Sequence, residues 1–196
     1  IQLLKLQDIE ERIIKMFDTE APPNLYFHNS FLVKTISTQT ELLSNAENIP
    51  EEEFIILKLA SVFLFAGYIS YYEYDNPMEA SLLAVDEILT KYGFDNMIID
   101  KVKELIRNSY NNVLTSVADN ILHDARYDYL GRLDYIKLTE KLFREESEYG
   151  KVDDRLRWIE KQKKMLRDHE FITNTAKLLR SVSVDQQITS LVERME

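Results

Sequence analysis

Three histidines occur in the 196-residue chain, and its possible chemistry turns on what surrounds them. His28 lies in Tyr26-Phe27-His28-Asn29. An imidazole there can hydrogen-bond a neighbour inside a core, which is the expected role, or contact a ligand, which is the alternative. His123-Asp124 is a dipeptide with nitrogen and oxygen lone pairs for a metal ion. Adjacent helical residues point about 100° apart, so the pair needs further ligands from other segments, and none is evident. Arg126 brings a planar guanidinium suited to phosphate. Its more ordinary fate is an ion pair with Asp124 or Asp128. His169 reads as a structural hydrogen-bonder. Tyr68, Tyr71, Tyr72 and Tyr74 either line a pocket, where they can stack a base, or pack around a loop. The sequence contains no P-loop glycine pattern, nucleophile elbow or zincin motif.

The residues that must position these groups are those of a helical protein. A 45% hydrophobic and 30% charged composition is that of a globular domain with a sizeable core. The net charge of -10 disfavours general binding to nucleic acid or anionic membranes. The absence of cysteine excludes disulfides and thiolate metal sites. Ile1-Gln2-Leu3-Leu4-Lys5 lacks a basic stretch and a small-residue cleavage site, so no signal peptide is expected and a cytoplasmic location is.

The strongest single element is the run over residues 54–72, uncharged from Leu59 to Tyr72. It is too short in apolar residues to span a bilayer and predicts a helix buried on all sides. Pro50 and Glu51, Glu52 and Glu53 suit its first turn, and Gly67 suits a stop or bend. Leu3, Leu6, Ile9, Ile13 and Phe17 predict an amphipathic first helix. A second helix is expected over residues 25–45 with Leu32, Ile36 and Leu43 inward. Asn76-Pro77 starts a helix with Leu82, Val85, Leu89 and Tyr92 on one face, closed by Gly93. Asp95 caps the next, with Ile98, Val102, Leu105 and Ile106 inward. Residues 108–115 read as a loop, and Val117, Ile121 and Leu122 as a short helix. A helix follows over residues 134–149. Asp153-Asp154 caps another with Trp158, Met165 and Leu166 inward. Its basic face, Arg157, Lys161, Lys163, Lys164 and Arg167, is expected to be solvated, with a phosphate-facing role as the alternative. Ser183 and Asp185 start the last helix, with Ile188, Leu191, Val192 and Met195. No strand is predicted.

This order of helices, with Phe27-His28-Asn29, Gly67-Tyr68, Glu79-Ala80-Ser81, Asp124-Ala125 and Leu130-Gly131, resembles the HD superfamily of metal-dependent phosphohydrolases. That superfamily includes cyclic-nucleotide phosphodiesterases. The resemblance continues through Trp158-Ile159-Glu160, His169, Phe171-Ile172-Thr173 and Ala176. It implies one all-α domain over residues 1–196, a bundle around a central buried helix. The core would span residues 20–131, followed by a C-terminal helical extension. It also implies ligand positions for divalent metal, and here they hold other residue types. The first falls on Leu32, the His-Asp pair on Leu64 and Phe65, and the last Asp on Arg126. Pro77 stands near a position where relatives often carry another His. Leu and Phe offer no lone pair, and Arg places a fixed positive charge where a cation would sit.

The expectation is therefore a degenerate HD domain that has lost hydrolysis and acts as a ligand-binding, regulatory or interaction module without a cofactor. His28 matches the general-acid position of the phosphodiesterases. With Asn29, Tyr68, Asp124 and Arg126 it is the candidate site for a nucleotide or other phosphorylated small molecule. A protein partner or homo-oligomer is the other expected association, and no membrane span is expected. The competing expectation is an active metal-dependent phosphohydrolase or cyclic-nucleotide phosphodiesterase. A third is a helical assembly module with no small-molecule site.

Overall fold

The computed structural model describes residues 2–70 and 74–196. Every regular element among them is helical, as the sequence predicts, and no strand occurs among the described residues. None of the described helices is long and apolar enough to cross a membrane. The chain divides into two compact units: Ile1–Pro22 with His28–Arg126, and Pro23–Phe27 with Tyr127–Glu196.

In the first unit, α1 (Gln2–Thr19) buries Leu6, Ile9, Ile13 and Phe17 at the expected spacing. Leu3, on the same periodicity, is exposed in the first turn. α2 (Ser30–Ala46) begins five residues later than predicted, because the Asn29 side chain accepts from the Leu32 N–H and caps the helix there. α3 (Glu51–Phe63) is the central helix. Every residue from 55 to 63 is buried, and the helix packs against α1, α2, α4 (Pro77–Lys91), α5 (Asn96–Tyr110) and α6 (Val117–Arg126).

α3 is shorter than the apolar run predicts. It stops at Phe63, and the chain continues into a single 3-10 turn, Ala66–Ile69. The cause lies on α4. A Cβ on Gly67 would lie 2.0 Å from the Pro77 carbonyl oxygen, so only glycine admits this approach. Ser81 Oγ accepts from the Gly67 N–H at 2.8 Å and donates to the Leu64 carbonyl at 3.2 Å. Tyr110 adds a second donor to that carbonyl at 2.9 Å. Side chains of α4 and α5 thus satisfy a helix-end carbonyl that the next turn of helix would otherwise have taken.

The one buried charge of α3 is Lys58, whose side chain is 6% exposed. Its ammonium donates to Ser37 Oγ at 2.7 Å and Glu41 at 3.1 Å, with Glu10 at 3.7 Å. Glu10 also accepts from Ser37 at 2.6 Å, so the buried cation ties α1, α2 and α3 together. α4 begins at Asn76-Pro77 as predicted, and Gly93 adopts a left-handed φ of 74° just past its end. α5 is capped by Asp95 and runs to Tyr110, three residues into the predicted loop.

The second unit contains a 3-10 turn (Asp128–Gly131), α7 (Tyr135–Glu148), α8 (Arg155–Asp168), α9 (Asn174–Leu179) and α10 (Val184–Met195). Residues Pro23–Phe27 belong to it for identifiable reasons. The Phe27 N–H donates to the buried Glu145 carboxylate at 3.0 Å, and Tyr149 donates to Asn24 at 2.7 Å. The Phe27 ring meets Tyr129 edge-on at 5.2 Å. Asp154 caps α8 as expected, but the buried stripe is Trp158, Ile159, Gln162 and Leu166. Met165, predicted inward, is 37% exposed. Arg157 and Lys164 on the basic face are solvated and pair with Asp153 and Asp168 one turn away. α9 was not predicted. Its cap is Thr173, which accepts from the Ala176 N–H at 3.2 Å. α10 opens with a capping box between Ser183 and Gln186. It buries Gln187, Leu191 and Met195, while Val192 is exposed and Ile188 half-buried.

Candidate functional site

Four segments of the first unit bring the sequence-predicted residues together. His28 stands immediately before the cap of α2, Phe65 and Tyr68 follow α3, Ser109 and Tyr110 end α5, and Arg126 ends α6. His28 is 8% exposed. Its ring lies flat on Tyr68, with centroids 3.9 Å apart and planes within 5°. Phe65 meets the same imidazole edge-on at 4.9 Å. Tyr74 closes on Tyr68 at 5.1 Å. Tyr71 and Tyr72, from the same tyrosine set, lie outside the described residues.

Arg126 approaches the cluster from the other side. Its guanidinium lies 5.2 Å from the Phe65 ring centre and 4.8 Å from that of Tyr110. Nη1 donates to both the carbonyl and the hydroxyl of Ser109 at 3.0 Å. Cation–π contact and these two hydrogen bonds hold the guanidinium plane against the aromatic cluster. Asp128, one of the carboxylates expected to capture Arg126, is engaged in the second unit instead. Arg180 holds it through two nitrogens, and Arg132 lies 3.6 Å away.

Leu32, Leu64 and Phe65, the positions that the resemblance assigns to metal ligands, are all buried at 6% exposure or less. Among the described residues no three His, Asp or Glu side chains lie close enough to share a metal ion. His123 and Asp124 diverge as their helical spacing requires, His123 half-buried and Asp124 fully buried. Asn29 acts as the α2 cap. His169 lies in the second unit, past the end of α8, with its ring 4.5 Å from Phe171 and 5.4 Å from Tyr127.

The sequence missed Ser109 and Tyr110, which it placed in a loop. The available signal was the helical spacing of Val102, Ile106 and Tyr110, which continues the buried face of α5 by one turn. Charge is also distributed unevenly. The first unit holds 10 Lys and Arg against 20 Asp and Glu, and the second holds 14 of each.

Chemically, the cluster combines stacked aromatic rings with a cation. Its rings take the volume between α2 and the ends of α3, α5 and α6, and its cation is directed at protein acceptors. No family model, curated protein or solved structure matches the chain.

Proposed function

We propose that this chain is a degenerate HD-type helical domain that does not hydrolyse phosphoesters and serves as a regulatory or interaction module. One observation carries the reading. The Phe65 ring occupies a position that the resemblance gives to a metal ligand, and it packs between His28 and Arg126, the two polar groups a phosphate would need. That ring contacts both groups, so a phosphorylated ligand would have to share them with it. The buried Leu32 and Leu64 add no lone pair. Among the described residues no three His, Asp or Glu side chains stand ready to hold the metal that would activate a hydroxide.

The test combines metal content, turnover and binding. Protein purified without chelator is analysed for metals, then assayed for hydrolysis of bis(p-nitrophenyl) phosphate and cyclic nucleotides with added manganese. The expected result is substoichiometric metal and no turnover above buffer. One equivalent of metal per chain, with turnover abolished by Asp124→Asn, would overturn the proposal in favour of the active phosphohydrolase. Calorimetry with mono-, di- and cyclic nucleotides is expected to show no binding. Binding abolished by Arg126→Ala would replace the interaction reading with the ligand-binding one.

A further inference from the structure

A groove of about 460 Å³ opens on the first unit, away from the His28–Arg126 cluster. Three helices build it: the start of α3, the solvent side of α5 and the start of α6. Ile56, Leu105 and Ala118 are its buried apolar residues, each at most 8% exposed. Glu52, Glu53 and Glu104 supply three carboxylates against the single ammonium of Lys101.

The wall at α6 is rigidly made. Asp119 is 4% exposed, and its carboxylate accepts from the backbone and hydroxyl of both Thr115 and Ser116 at 2.9–3.1 Å. Asn108 donates to its other oxygen at 3.1 Å. That charge is spent on holding the turn and is not available to a partner.

Exposed apolar side chains stand beside the lining residues in the chain. Val117, between two lining residues, is 50% exposed. Val113 and Leu114, just before the lining Thr115, are 38% and 40% exposed. Met97 is 65% exposed and stands one helical turn before Lys101, on the face that carries Glu104 and Asn108. An apolar floor, an exposed apolar border and a carboxylate rim are the complement of one kind of partner surface. The twofold excess of acidic over basic residues in this unit steers the same class of partner towards it.

We infer that this groove is the docking site for a Lys- and Arg-rich amphipathic helical segment of a partner protein. Apolar residues spaced three and four apart on that segment enter between Ile56, Leu105 and Ala118. Its flanking cations meet Glu52, Glu53 and Glu104. The inference rests on the interaction-module reading and names its surface and partner chemistry.

The probe is a fluorescein-labelled Leu/Lys amphipathic peptide of about 14 residues, long enough to form a helix on binding. A Leu/Glu peptide of the same pattern is the control. Anisotropy titrations use the whole chain. Saturable binding of the Leu/Lys peptide is expected, weakened about tenfold by Glu52→Gln with Glu104→Gln. Val117→Ser, at an exposed position, should weaken it severalfold. Asp75→Asn with Glu79→Gln removes the same charge elsewhere on the unit and should change binding less than about twofold. Matched melting curves check that each variant folds. The inference is overturned by no saturable binding up to about 100 µM. It is also overturned by equal loss in the distant pair, which would mean general attraction to an acidic surface, or by equal binding of the Leu/Glu peptide. Metal-dependent turnover would sink the non-catalytic reading and leave the groove result standing, so the two failures are distinguishable.

Discussion

Tyr135 is fully buried at the start of α7, and burial pushes its phenol up to about 12, with the neighbouring Thr139 hydroxyl offsetting part of the effect. The unfolded chain ionises a tyrosine near pH 10. Between about pH 10 and 12 the unfolded state therefore loses a proton that the folded state keeps. Stability must fall as pH rises through this window, by up to about 1.4 kcal/mol per pH unit, and this group contributes no slope below it. Tyr135→Phe should leave the midpoint of urea unfolding near pH 7 little changed and flatten its decline between about pH 10 and 12. An unchanged decline in the variant would show that other groups carry it. Asp134, next in the chain, titrates the other way. Its hydrogen bond from Arg132 holds its carboxyl below the usual range, so what it contributes is present above the ordinary carboxyl range and is lost as pH falls from there through the lowered value.

At the scale of elements, the junction of α3 and α4 decides the shape of the site. Gly67 sits where a methyl group would meet the Pro77 carbonyl carbon at 2.9 Å and the Ser81 nitrogen at 2.8 Å, as well as the carbonyl oxygen. These neighbours are backbone atoms and cannot rotate away. Gly67→Ala should therefore destabilise the first unit by at least about 2 kcal/mol, at the upper end of ordinary overpacking. Because the junction also sets Phe65 and Tyr68 against His28, near-ultraviolet circular dichroism from the tyrosines should change as well. A variant that melts like wild type with the same aromatic spectrum would mean that α4 can draw back at no cost. Leu64→Ala tests the same element from inside. Leu64 is fully buried, so a loss of about 2–5 kcal/mol is expected in chemical denaturation.

At the scale of the whole molecule, the dominant feature is the uneven charge. The net charge of -10 lies entirely in the first unit, where 20 acidic side chains face 10 basic ones, while the second unit is balanced at 14 of each. Like charges on a compact body repel, and salt screens them over about 10 Å at 0.1 M. Raising sodium chloride from low ionic strength should therefore raise the melting temperature of the chain. A melting temperature that falls with salt would show that attractive pairs such as Lys103–Asp86, at 2.8 Å, outweigh the repulsion.

Periodicity and capping chemistry determined the all-α class and the burial of the 55–63 run. Leu, Ile and Phe at helical spacing have one low-energy environment, and Asn76, Asp95, Asp154 and Ser183 each satisfy a helix end within three residues. Such information is local, so it survives in the sequence. The stop of the central helix at Phe63 was not legible, because its cause is a contact with Pro77 and Ser81 on α4. Nor was the fate of Arg126. Ser109 and the rings of Phe65 and Tyr110 are brought to it only by packing. His28 and Arg126 stood out by residue type alone, but that the Phe65 ring would contact both was decided by where three helices end. That outcome belongs to long-range packing, because a side chain's partners depend on which distant elements share its core.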